Sequence, residues 1–138
     1  MKHYAKARAG IGPYASLAGR RLPDAAYIAH QAFGPQWSAI AGTVREKPNR
    51  CQVSDGNDQV LMVWGAPNNF RALLWAAINA AIDPGPRPVI VITTRQWNRL
   101  SGDEKQRHIT LSERAGLEVR HPLLRDIVST QDRGRDRA

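Results

Sequence analysis

Apolar residues fall into three patterns along this chain, and the pattern changes at prolines and glycines. Gln59 to Trp64 (QVLMVW) is an apolar run of strand length. After Pro67 a helix opens on Asn68 or Asn69, and Leu73, Leu74, Ala77, Ile78 and Ala81 recur at helical spacing, with Arg71, Trp75 and Asn79 to the sides. Pro84-Gly85-Pro86 ends that helix at about Asp83. Val89-Ile90-Val91-Ile92 then follows as a β-branched run without alternation, the pattern of a strand buried on both faces. The succession predicts a β-α-β unit whose second strand, Val89 to Thr93, is central, with the Asn69 helix packed across it.

Upstream, Trp37 to Val44 alternates as a strand does, a turn surrounds Pro48, and Cys51 to Val53 is extended. Asp55-Gly56-Asn57-Asp58 is a strong turn signal, so a three-strand meander precedes the helix. The stretch AAYIAHQAF (Ala25 to Phe33) is helical by its alanines and a first strand by its position. Downstream, Arg95 to Leu100 reads as a helical turn, and Ser101 with Glu104 forms a capping box that opens a second helix, ending near Ala115 and Gly116. Leu117 to Arg120 is a last short strand and Pro122 to Val128 a short helix.

The flanks differ from this middle. Residues 1–23 carry Lys2, Lys6, Arg8, Arg20 and Arg21 with no acid, a basic arm ahead of a domain spanning 24–128. Residues 129–138 lack apolar anchors and are expected to be disordered. Twenty Lys and Arg against twelve Asp and Glu give a net charge of +8, which favours polyanions through counterion release and makes nucleic acid, RNA or DNA, the default partner. No apolar run approaches a membrane span, and the first residues lack the apolar core of a signal peptide; a cytoplasmic protein that does not engage membranes is expected.

Several chemistries find no support. The glycines at 10 and 12 follow no strand, as a phosphate loop would require. His3, His30, His108 and His121 do not stand at metal-ligand spacing, and no serine sits in a nucleophile elbow. Cys51, the single cysteine, has no disulfide partner in the chain and reads as a buried strand residue. No metal and no cofactor are expected.

Two segments carry a family resemblance. APNNFRAL resembles the part of ribonuclease HI enzymes where two asparagines open a helix and a catalytic glutamate follows, and VITTRQW resembles the end of their fourth strand, which carries a catalytic aspartate. The resemblance implies a ribonuclease H-like α/β fold, a mixed five-stranded sheet with helices packed on it in the order βββαβαβα. It further implies that Asn68, Asn69 and Gln96 contact nucleic acid in its minor groove. By residue type alone, Arg95 and Arg99 suit phosphate contacts or the solvated side of a helix. The carboxylates that hold two magnesium ions in that family are missing at the matching positions, which are Ala72, Thr94 and, across a gap, His30. Asp126 matches a fourth family aspartate, and Asp55 offers an alternative first-strand position that leaves too few residues for the strands between.

The expected function is therefore nucleic-acid binding without catalysis, through Asn68, Asn69, Arg95, Gln96 and Arg99, with the basic arm on phosphates. Helix capping by the asparagines and core packing by Trp64, Trp75 and Trp97 are the plainer roles for those residues. The competing functions are a protein-interaction module, such as an inhibitor or a structural subunit of a mobile element, and a metal-dependent nuclease with a non-standard carboxylate set.

Overall fold

The computed structural model describes residues 24–125. They form α1 (Ala25–Phe33), β1 (Ser38–Ala39), β2 (Asn49–Ser54), β3 (Gln59–Gly65), α2 (Phe70–Ile82), β4 (Arg87–Ile92), α3 (Gly102–Arg114) and β5 (Glu118–Arg120). The five strands make one mixed sheet in the order β1-β2-β3-β4-β5. The first three pair antiparallel, as the meander requires, while β4 pairs parallel with β3 and with β5. The basic arm, Asp126 and the C-terminal tail lie outside the described residues.

The β-branched run decides the layering. Val89, Ile90, Val91 and Ile92 are all fully buried. Successive strand residues face opposite sides, so Val89 and Val91 need one cover and Ile90 and Ile92 another. Helix α2 meets the second pair with Phe70, Leu73 and Ala77, joined by Leu117 beyond α3. Helix α1 meets the first pair with Ile28 and Ala29, joined by Cys51, Met62 and Leu124. The sheet thus lies between α1 on one face and α2 with α3 on the other. Burial pushes the Cys51 thiol up to about 12, which leaves it an inert apolar filler.

Local signals explain the element ends. Asp24 accepts from the Tyr27 amide at 2.8 Å and so caps α1. Ser101 and Glu104 form the expected reciprocal capping box on α3, with distances of 3.1 and 3.0 Å. Arg120 ties β5 to the far end of α1: it donates to the Ala32 carbonyl at 2.9 Å, stacks over the Phe33 ring and pairs with Glu118. Burial raises the Glu118 carboxyl, but hydrogen bonds from Arg120 and Arg87 outweigh it and hold it below the usual range.

Three expectations need correction, and Asp55 falls in the turn that its neighbours signal and not at the alternative first-strand position. Ala25 to Phe33 is a helix, so His30 stands exposed on α1 and occupies no strand position; alanine-rich propensity and the Asp24 cap prevail. The alternating stretch Trp37 to Val44 gives only the two residues of β1. It turns away because Gly42 adopts φ 82° and Thr43 hydrogen-bonds back to the Ile40 carbonyl. Pro122 to Arg125 is not helical; Leu123 bridges Thr94, and Leu124 donates to the Thr94 carbonyl at 2.7 Å. Asp55 sits in the β2-β3 turn, its carboxylate lowered in pKa by the Asp58 and Asn57 amides it accepts from.

Helix α3 docks through an arrangement that no spacing rule anticipates. His108 stacks on Phe70 of α2 with centroids 4.2 Å apart, and its Nδ1 lies 3.1 Å from Nε2 of His121. Burial lowers both imidazoles; in His121, with His108 and Lys105 adding to the effect, the pKa falls to about 4. A hydrogen bond between these facing nitrogens needs one of them to carry a proton and the other to accept it, which doubly protonated rings could not do.

Two outcomes follow. Ile90→Ala should lower unfolding stability by about 2–5 kcal/mol, measured by denaturant titration, because a dry site on α2's side of the sheet cannot collapse around the void. A loss under about 1 kcal/mol would contradict the described packing. For the histidines, the unfolded chain takes up a proton near pH 6.5 and folded His121 only near 4. Stability should therefore be complete above pH 6.5 and decline as the pH falls through that window, and His121→Gln should flatten the decline between pH 6.5 and 5.

Candidate functional site

The parallel pair β3-β4 ends in open space. Thr93 clasps the two tips, its amide and its hydroxyl both donating to the Gly65 carbonyl at 2.9 and 3.2 Å. Beyond the tips lies a cleft of about 590 Å³, bounded by the start of α1, the turn near Arg45 and the Arg95 to Asn98 turn. A second cleft, of about 830 Å³, runs between residues 46–50 and the flank of α2. Glu46, Asn49, Trp64 and Asn69 line both, so the two clefts adjoin at the start of α2, one beyond the strand tips and the other along the helix flank, and together make a groove that changes direction there. Ligand crevices in open α/β sheets characteristically lie beyond the carboxyl ends of strands, as this one does.

Asn69 stands at the bend. It occupies the cap position of α2, yet its side chain makes no capping hydrogen bond; only its backbone amide is engaged, donating to the Ala66 carbonyl at 2.9 Å. Its amide group instead lies over Gly65. The capping role proposed for the asparagines is thus not the one Asn69 performs. Asn68, in the short 3-10 turn Pro67–Asn69, is exposed on the adjoining surface.

The tryptophans divide. Trp64 is in the core at 8% exposure, as the packing role expects. Trp75 is 67% exposed and Trp97 79%, and they line the cleft along the flank of α2 and the strand-tip cleft respectively. Two large aromatic faces left in water along one groove depart from ordinary packing. Periodicity carried the signal for Trp75: it lies two residues from both Leu73 and Ala77, about 200° around the helix from the buried stripe. Trp97 carried no such signal, because a three-residue 3-10 turn has no periodicity to read.

Charge around the groove nearly balances. Arg45, Lys47, Arg50 and Arg95 face Asp24, Glu46 and Asp83. Most of these cations are also structural. Arg45 donates to the Gly42 and Val44 carbonyls, Arg50 to those of Glu46 and Pro48, and Arg95 to that of Arg125 at 3.1 Å. Lys47 differs: its exposed side chain makes no hydrogen bond among the described residues, and its backbone is held at φ 65°, a left-handed conformation uncommon for a lysine.

Of the residues expected at a binding face, Asn69 and Arg95 meet in the groove. Gln96 and Arg99 lie outside its lining, exposed and paired with each other at 3.5 Å. Among the positions matched to catalytic carboxylates, Ala72 lines the α2 cleft, whereas Thr94 is buried and donates to the Pro122 carbonyl at 3.2 Å. Thr94 therefore fastens the segment after β5 and faces no cleft described here. Asp55 lies at the opposite end of the sheet, since Ser54 pairs with Gln59 while the groove begins where Asn49 pairs with Trp64. Five residues of strand, roughly 17 Å, separate them. Among the described residues no group of three or more His, Cys, Asp or Glu converges as metal ligands, and no helix is long and apolar enough to cross a membrane.

Comparison of the chain with family models, curated proteins and solved structures gives no match, so its chemistry rests on its own residues.

Proposed function

We propose that this protein binds nucleic acid without cleaving it, the groove around Asn69 supplying the contact surface and residues 1–23 the affinity for phosphate. The observation that carries this reading is a juxtaposition. Asp24 lines the groove, and it is the residue at which the acid-free stretch bearing Lys2, Lys6, Arg8, Arg20 and Arg21 joins the domain. A polyanion drawn by that stretch is delivered to the lip of a groove whose amides can meet bases or sugars: Asn49 and Asn69 with both ends, Asn79 with its oxygen and Asn98 with its nitrogen, since Asn79 Nδ2 donates to the Trp75 carbonyl and Asn98 Oδ1 accepts from the Arg95 amide.

The ribonuclease H resemblance supports the same reading through Asn69. Ala72, which lines the groove, stands where that family has a carboxylate, and the absence of that negative charge removes repulsion for an incoming phosphate. In this reading Asn68, Gln96 and Arg99 form an outer surface that meets the strand beyond the groove.

Binding should weaken steeply with salt, with a log-log slope of roughly −3 to −6 if about four to seven phosphates are neutralised. Replacing the five basic residues of 1–23 by glutamine should flatten that slope, whereas Asn69→Ala should weaken binding and leave the slope unchanged. Fluorescence anisotropy at several salt concentrations measures both. The purified protein should leave an RNA–DNA hybrid intact in magnesium or manganese. Metal-dependent cleavage abolished by Asp126→Asn would overturn the non-catalytic reading, and a stoichiometric host protein copurifying in place of nucleic acid would favour the interaction-module alternative.

A further inference from the structure

We infer that the ligand of this groove is a single strand, RNA or DNA, whose unpaired bases stack on Trp75 and Trp97 and are read by the asparagines between them. The inference rests on the nucleic-acid reading above and specifies which form of nucleic acid fits.

Charge balance in the groove argues for bases there. Seven ionised side chains of both signs line it, and three of its four cations already donate to backbone carbonyls. A duplex presents phosphates on its outside, so it favours a surface with a clear excess of positive charge. Neutral amides and exposed aromatic planes suit the opposite partner, a strand whose bases are turned toward the protein.

Geometry agrees with this division. The groove bends around the first turn of α2, a path that a stiff double helix does not follow over so short a distance and a single strand does. The two exposed tryptophans stand in different arms of the bend, with Asn69 where the arms meet and Asn79 and Asn98 beside the rings' respective arms. Lys47, on the wall facing α2, is the exposed cation placed to meet the backbone of a strand lying there. The aromatic faces hold the bases, the amides address their edges, and the phosphates face outward.

The test uses the full chain and labelled oligonucleotides of about twenty nucleotides, as single-stranded DNA, single-stranded RNA and DNA duplex. Single strands should bind at least about tenfold more tightly than the duplex at the same salt. Trp75→Ala and Trp97→Ala should each weaken single-strand binding by about 5- to 100-fold with no change in salt slope, while Trp75→Phe should retain most of the affinity. Both residues are largely exposed, so circular dichroism should show unaltered folding. Whether DNA or RNA binds more tightly identifies the natural sugar. Equal affinity for duplex and single strand, or single-strand binding indifferent to both alanine substitutions, would overturn this inference and leave the nucleic-acid reading standing. Absence of binding to every probe at low salt would overturn both.

Discussion

The constraint on which the rest depends is that β4 has no polar face. Four successive β-branched residues, Val89 to Ile92, are dry on both sides, and each contributes on the order of 1.5–3 kcal/mol only if something covers it. One strand therefore demands two helical layers and a neighbour on each edge. The parallel pairing with β3 and β5, the α2 crossover and the placement of α1 on the far face all answer that demand. The groove is a by-product of the same geometry. Parallel strands end together, and Thr93 holds the ends of β3 and β4 level.

This arrangement separates structural from free polar groups at one end of the sheet. Thr93, Thr94, Arg45, Arg50 and Arg95 are committed to backbone carbonyls of neighbouring turns and strand ends. Asn69, Trp75, Trp97 and Lys47 have no such duty in the fold. A residue type that usually packs or caps, left exposed at the edge of a cleft, is the physical basis for assigning contact with a ligand to these four. Most of the surplus positive charge lies elsewhere, in residues 1–23, so affinity and recognition are assigned to different parts of the chain.

How much of this was legible beforehand depends on the range of the interaction involved. Local signals held well. The β-α-β unit, the Ser101 capping box, the Asp55 turn and the buried Cys51 all follow from composition and spacing over a few residues. Ala25 to Phe33 was ambiguous because a positional argument competed with propensity, and the alanines with the Asp24 cap prevailed. Trp37 to Val44 was misread because alternation says nothing of the turn that Gly42 and Thr43 impose. Non-local contacts were out of reach. Nothing in the spacing of His108 and His121 indicates a 3.1 Å contact, and nothing in VITTRQW separates a buried, structural Thr94 from a Thr93 that touches the groove. The groove itself, assembled from five separate segments, has no sequence signature.

Photo-crosslinking tests the central claim most directly, because it reports where a strand lies. Single-stranded oligonucleotides carrying halogenated uracil would be irradiated with the full-length protein and the adducts located by mass spectrometry. The account requires adducts on peptides containing Trp75 and Trp97, on either side of the bend at Asn69. Adducts confined to residues 1–23, or spread over the surface of α3, would show that the groove is not where nucleic acid is held.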